Sequence, residues 1–376
     1  MKNLQFVLYT GILLLMISAS GWGADFRKGL EAFHSGDYTA SFQQWRPLAE
    51  QGNTRAQFLL GAMYYDGEGV PQNYVLAAEW YWLAAERAFA PAQHALGAMY
   101  ADGTGVSQDY TEAVRWYRRA AEQGYVLSQH ALGYLYEKGW GVSQDYNEAV
   151  AWYRLAAEQA YASAQNNLGL LYYKGHGVVQ YYKEAAKWLR LSAEQGMPEA
   201  QFLLGWMYNN ILGSPEYCEE AVGWYQLAAD QGLAAAQTSL GLLYVKGQGV
   251  PQNYKKAASL FVLAAEQDEG IAQTNLGLLY IKGQGVPPDK EQAFRLFASA
   301  AEQGVPVAQY RLGMMYESGC GVLQDPVSAF VWYRIGASLG NKEAKVRGDR
   351  IGKTMNPSQK EEAQKRAEAW LESHGG

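Results

Sequence analysis

Residues 92–124 read AQHALGAMYADGTGVSQDYTEAVRWYRRAAEQG, and the pattern of this stretch returns along most of the chain. Its anchor is Leu96-Gly97. The same pair stands at Leu60-Gly61, Leu132-Gly133, Leu168-Gly169, Leu204-Gly205, Leu240-Gly241, Leu276-Gly277 and Leu312-Gly313, each step 36 residues without insertion or deletion. Four residues before each leucine stands alanine (Ser128 in the third unit), and four after it a tyrosine. This spacing predicts a helix with Ala, Leu and Tyr on one stripe, the glycine letting a neighbouring backbone approach. A glutamine follows the alanine position in every unit, from Gln57 to Gln309.

The first helix runs into a loop of the form Gly-x-Gly-Val, such as Gly67-Glu68-Gly69-Val70, suited to a left-handed cap and a tight reversal. A second helix then opens on Asp or Asn. Asp109 with Glu112, and Asp145 with Glu148, have the spacing of a capping box. That helix carries Ala-x-x-Trp-Tyr and closes with Ala-Ala-Glu-Gln-Gly, as at Ala120–Gly124. Two short helices per period, with no strand pattern, predict a chain whose core grows along one axis, each unit packing on its neighbours.

The repeated motif, Leu-Gly with its flanking Ala and Tyr, the Gly-x-Gly-Val loop and the Trp-Tyr helix, resembles the Sel-one-like repeat family, a relative of tetratricopeptide repeats. The resemblance covers residues 53–340 in eight units. It implies an all-α solenoid, a right-handed superhelix of antiparallel helix pairs. Residues 25–52, with Gly36-Asp37-Tyr38 and Trp45, resemble a tetratricopeptide-like capping hairpin. Residues 341–376 lose the Leu-Gly pair and are expected to form polar capping helices, as repeat ends require. The fifth unit departs from the pattern, with Ile211 where the first loop glycine would stand.

The N-terminus reads as an export signal. Lys2 precedes an apolar run from Phe6 to Ile17, small residues follow, and residues 1–24 are expected to be removed. The run is shorter than the ~20 residues of a membrane span, so the expected location is periplasmic or secreted, with no span after cleavage. A net charge of −6 with acids and bases interspersed gives no nucleic-acid footprint. Cys218 and Cys320 lie close to three units apart, too far for a disulfide if each unit advances ~10 Å.

No catalytic constellation emerges, and no metal or cofactor is expected. The Gly-x-Gly loops lack a preceding strand and a Walker lysine, and they recur as structural turns. His94 and His130 occupy one repeat position and read as surface or groove residues, while His176 reads as a solvated loop residue. The tryptophans at fixed repeat positions, such as Trp80, Trp116 and Trp152, read as inter-helix core.

A binding surface should vary while the core repeats. On the first helix the varying positions fall two before the leucine, then two and five after it, on a face separate from the Ala-Leu-Tyr stripe. Units three to five are richest there in aromatic and hydrogen-bonding groups: His130, Tyr134, Glu137, Asn166, Leu170, Tyr173, Phe202, Trp206 and Asn209. Phe58, Tyr65, His94, Tyr310 and Met314 form a secondary set. In related helical-hairpin repeats this face lines a concave groove. The expected function is therefore an exported scaffold or adaptor that binds a protein or peptide, in envelope assembly, cell-wall enzyme regulation or host interaction. Two alternatives stand beside it: a β-lactamase or penicillin-binding-like enzyme, whose relatives carry paired cysteines that this chain lacks, and peptidoglycan or polysaccharide binding by groove aromatics.

Overall fold

The computed structural model describes residues 24–213 and 215–374, with side chains 24, 215 and 216 also left aside. The expected export signal therefore lies outside the described residues, apart from Ala24. Twenty α-helices and no strand appear among those described, the all-α repeat architecture of stacked antiparallel helix pairs that the 36-residue period predicts. The chain forms two compact units, Met1–Ser192 and Ala193–Gly376. No helix of the described residues is long and apolar enough to cross a membrane.

In the first unit a helix pair, α1 (Ala24–His34) and α2 (Tyr38–Glu50), closes around the fully buried Trp45, whose indole donates to the Phe26 carbonyl. The repeats then follow as α3 (Thr54–Asp66) with α4 (Tyr74–Glu86), α5 (Ala90–Asp102) with α6 (Tyr110–Ala121), α7 (Val126–Lys138) with α8 (Tyr146–Glu158), and α9 (Ala162–Lys174) with α10 (Tyr182–Glu194). Most of the second unit repeats the plan: α11 (Pro198–Met207) with α12 (Pro215–Asp230), α13 (Ala234–Lys246) with α14 (Tyr254–Ala265), α15 (Gly270–Lys282) with α16 (Lys290–Glu302), and α17 (Pro306–Ser318) with α18 (Pro326–Ser338). It ends with α19 (Lys342–Ile351) and α20 (Pro357–His374).

The Leu-Gly glycine serves an aromatic ring more than a backbone. A Cβ on Gly133 would stand 2.7 Å from Cδ1 of Tyr153, and one on Gly241 would meet the Phe261 ring at 2.5 Å. The residue that fills this notch is the one after the tryptophan position, and it is fully buried at Tyr81, Tyr153, Tyr225, Phe261, Phe297 and Tyr333. The tryptophans themselves are half-buried at Trp80, Trp152, Trp188, Trp224 and Trp332, and only Trp116 among them sinks into the core. In the loop, the second glycine permits the close approach: Gly69 has φ +73°, and a Cβ there would lie 2.5 Å from the Tyr38 carbonyl.

The capping signals are half right. Asp109 accepts from Thr111 N at 2.8 Å and Glu112 N at 3.1 Å, as an N-cap should. Glu112 does not reach back: it pairs with Arg115, and the Asp109 amide is taken by the Tyr100 carbonyl. Likewise Glu148 accepts from the Trp152 indole at 3.1 Å.

The recurring glutamine has a structural task that periodicity did not reveal. Its Nε2 donates to the carbonyl eight residues earlier, at the end of the preceding helix: Gln93 to Ala85 (3.0 Å), Gln129 to Ala121 (3.2 Å), Gln201 to Ala193 (3.1 Å), Gln309 to Ala301 (3.0 Å). Its Oε1 accepts from the glutamine thirty residues later in the Ala-Ala-Glu-Gln-Gly segment, as from Gln123 to Gln93 (2.7 Å), Gln159 to Gln129 (2.7 Å) and Gln267 to Gln237 (3.0 Å). The first and last repeats lack that donor, with Arg87 and Leu339 in its place. Their Gln57 and Gln309 oxygens are buried without a partner, an arrangement that costs about 1–3 kcal/mol each.

In the irregular fifth repeat, α11 runs into a wider turn over Tyr208–Leu212, where the Gly213 amide reaches the Tyr208 carbonyl five residues back. Gly213, not Ile211, takes the left-handed cap at φ +55°. The extra width keeps the 36-residue length while shifting the cap by two positions.

Candidate functional site

The varying face has to be taken unit by unit. In the first unit, His130 is half-buried between the rings of Tyr153 (5.5 Å) and Tyr161 (5.2 Å), with Nε2 3.2 Å from Asn167 Nδ2. Enclosure lowers its pKa to about 4, with Glu137 opposing the shift. It is therefore neutral near pH 7, and its Nε2 accepts from the amide. Glu137 is half-buried and accepts from Tyr153 Oη at 3.0 Å and Lys138 Nζ at 2.9 Å. Asn166 is buried, bonded to Asn167 at 3.3 Å, with Oδ1 lacking a partner. Leu170 and Tyr173 are half-buried, the Tyr173 ring 5.9 Å from Tyr182.

Tyr134 differs from all of these in being 38 % exposed. Its ring meets Trp140, itself 41 % exposed, edge-on at 5.6 Å, and Trp140 packs on Tyr110 at 5.2 Å. The Lys138 ammonium lies 5.4 Å from the Tyr134 ring centre. These side chains form an aromatic shelf on the surface, edged by one cation and one carboxylate. Trp140 occupies the free position of a Gly-x-Gly loop, which the sequence reading passed over because the flanking glycines mark a turn. The signal was present: other loops place Glu68, Thr104, Gln248 and Gln284 there. One repeat on, His176 fills the same position and packs on Tyr146 at 4.6 Å, so it is a ring-packed residue and not a freely solvated one.

In the second unit, Phe202 is half-buried with its ring 5.8 Å from Tyr225. Trp206 is half-buried, and its carbonyl accepts from Asn210 at 2.9 Å. Asn209 Oδ1 accepts from Gln248 Nε2 at 3.0 Å, tying the irregular turn to the next repeat's loop. Tyr310 is half-buried between the guanidiniums of Arg311 (5.4 Å) and Arg347 (5.9 Å), and Met314 Sδ lies 3.8 Å from Arg311 Nη1. On the same face Glu317 binds Arg347, Arg350 and Tyr333 at 2.8, 2.7 and 2.6 Å, so α19 covers the varying face of α17.

Three members of the secondary set are not surface residues. Phe58, Tyr65 and His94 are buried, and so is Asn166 of the principal set. The position two before the leucine is covered by the aromatic residue that precedes the next repeat's first helix: Phe89 over Phe58 (5.6 Å), Tyr125 over His94 (5.4 Å) and Tyr161 over His130. His94 bonds Ser128 Oγ at 2.9 Å, which accounts for the serine in place of the usual alanine. Burial and the neighbouring His130 lower its pKa to about 3.

Among the described residues no group of three or more His, Cys, Asp or Glu is placed to hold a metal ion, and Cys218 and Cys320 are both free thiols. A ladder of single carboxylates, rings and amides offers recognition chemistry.

The repeat geometry and this varying face define a class, that of helical-hairpin interaction scaffolds. The chain belongs to the Sel1 repeat family, whose model matches eight consecutive segments, 54–89, 90–125, 126–161, 162–197, 198–233, 234–269, 270–305 and 306–341. Proteins of this family generally act as scaffolds for protein–protein interaction. A Sel1 repeat protein from Oxalobacter formigenes is 34% identical, with 82% of this chain and 89% of that one covered and a TM-score of 0.64. A protective antigen of uropathogenic Escherichia coli, c5321, displaying an SLR fold, is 31% identical over 97% of this chain and 95% of that one, with a TM-score of 0.43. No curated protein matches the chain.

Proposed function

We propose that this protein is an exported, non-catalytic adaptor of the periplasm or cell exterior, which holds a protein or peptide segment against the varying face of its repeats. The observation that carries this reading is the Tyr134–Trp140 shelf. Two large rings stand exposed where the repeat pattern does not call for them, beside Lys138 and Glu137. Exposed aromatic anchors beside charged groups are the composition of binding hot spots. Trp206, just before the wider turn, and Asn209 within it are a separate candidate contact in the second unit. The apolar run at Phe6–Ile17 supports export.

A photo-crosslinking residue placed at position 134 or 206 in living cells tests the proposal. Discrete protein adducts at these positions, absent at exposed Lys183, are the expected result. Adducts no more frequent than at Lys183 would count against an adaptor. Flat exposed rings also suit sugar faces, so a second reading is binding of peptidoglycan or another polysaccharide. Retention of the purified protein on insoluble peptidoglycan, lost in Trp140→Ala, would favour it. Turnover of nitrocefin by the purified chain would overturn the non-catalytic reading.

A further inference from the structure

In the first unit, the cleft between one repeat's second helix and the next repeat's first helix is bridged by a recurring arginine. Arg118 on α6 donates to the Tyr136 hydroxyl on α7, its guanidinium 5.8 Å from the ring centre. One repeat on, Arg154 Nη2 donates to Tyr172 Oη at 2.6 Å and lies 6.0 Å from that ring. The corresponding position on α4 holds Trp82. A neutral indole brings no such charged donor to Tyr100, and Trp82 and Leu83 are 48 % and 38 % exposed. What is left between α4 and α5 is an open cavity of about 400 Å³, walled by Trp82, Leu83, Leu96, Tyr100 and Val106. That volume falls within the range of sites that enclose organic groups.

The charge at this cleft is as distinctive as its shape. Glu79 alone is charged among the described residues that line it. The next three repeats carry Arg115, Ala151 and Lys187 at that position, so the acid is particular to this junction. Among the described residues Glu79 has no ion-pair partner, whereas nearby Glu86 is held by Arg119 at 3.0 Å. Leu96 and Tyr100 belong to the Ala-Leu-Tyr stripe, so this cleft lies on a different face from the Tyr134 shelf.

We infer that the α4–α5 cleft docks a peptide segment of a partner protein in which a bulky apolar side chain is followed by Lys or Arg. The apolar side chain fills the space between Trp82 and Leu96. The cation pairs with Glu79 and lies against the exposed Trp82 face, where a ring attracts positive charge. The inference stands on this cleft alone and holds or fails independently of the reading of the varying face.

The test is an array of synthetic hexapeptides, each with a central Leu, Phe or Trp followed by Lys, Arg, Gln or Glu, probed with the purified full chain. Apolar–basic pairs are expected to bind about tenfold tighter than their apolar–acidic counterparts. Trp82→Arg copies the side chain that stands in the next three repeats, so the fold tolerates it while the latch closes, and binding is expected to disappear. Glu79→Lys is expected to move the preference toward the acidic peptides, with the change of exposed Lys183→Ala leaving it unchanged. Absence of an apolar–basic preference in the parent chain, or its persistence in a Trp82→Arg variant of unaltered circular dichroism, overturns the inference.

Discussion

Acid should loosen the repeats around His94 and His130 before the rest of the first unit. Both imidazoles are held neutral in the folded protein, His94 at about 3 and His130 at about 4, against an unfolded value of 6.5. The sign follows from proton counting: below pH 6.5 the unfolded chain takes up protons that the folded one refuses. Stability is therefore complete above pH 6.5 and is lost as pH falls, until about pH 4 for His130 and about pH 3 for His94. At pH 5 the linkage amounts to about 2 kcal/mol for each histidine, or ~4 for the pair. Such a loss is a large share of the 5–15 kcal/mol typical of whole domains. The variant to compare is His94→Thr with His130→Thr, since Thr238 and Thr274 occupy the same repeat position and are accommodated there. Urea unfolding followed by circular dichroism at pH 7.5 and pH 5.0 gives the difference, and hydrogen exchange locates it to α5–α9. Whatever the double variant loses at pH 7.5, its further loss on going to pH 5.0 should be smaller than that of the parent by roughly 4 kcal/mol. Equal losses in the two proteins would refute the argument that burial holds these histidines neutral.

Two glycines in helices should respond in opposite senses to the same substitution. Gly133→Ala drives a methyl into the Tyr153 ring 2.7 Å away and should destabilise by about 1–3 kcal/mol despite the better helix propensity of alanine. Gly223→Ala meets nothing within 4 Å and should stabilise by up to about 1 kcal/mol; chemical denaturation of the two variants checks both signs. Leu339→Gln supplies the donor that the buried Gln309 Oε1 lacks, and Leu339 is 43 % exposed, so a gain of about 1 kcal/mol is expected from its urea midpoint. Conversely, Gln123→Leu orphans Gln93 and should cost about 1–3 kcal/mol, with hydrogen exchange rising first in α5 and α6.

Most of the helical plan was legible because the period repeats itself eight times in register. Leu-Gly placed every first helix, and the glycine after it placed nearly every cap. The faces were harder to read. Spacings of three and four residues show that Phe58, Ala62 and Tyr65 share a stripe, but not whether another segment lies over it. Phe89, thirty-one residues away in sequence, decides that for Phe58, and Tyr125 decides it for His94. Trp140 was missed for the opposite reason: its glycine neighbours announce a turn, and the turn hid the one residue in it free to vary. The glutamines were visible as a constant, yet their role depends on two partners, one eight residues back in the preceding helix and one thirty ahead in the turn that follows the next.

Those two spans also bear on how such a chain can lengthen or shorten. A glutamine that must meet a carbonyl behind it and an amide ahead of it tolerates no single-residue insertion between them, since either bond would then be lost inside the packed helices. A whole 36-residue module can be copied or deleted with every bond re-formed across the new joint. The unpaired Gln57 and Gln309 oxygens mark the ends of the bonded series, so copies added between them would extend it without creating another orphan. Gene-level duplication in whole modules is the growth that this bonding permits, and it explains why all eight repeats have kept one length while their outward-facing residues diverged.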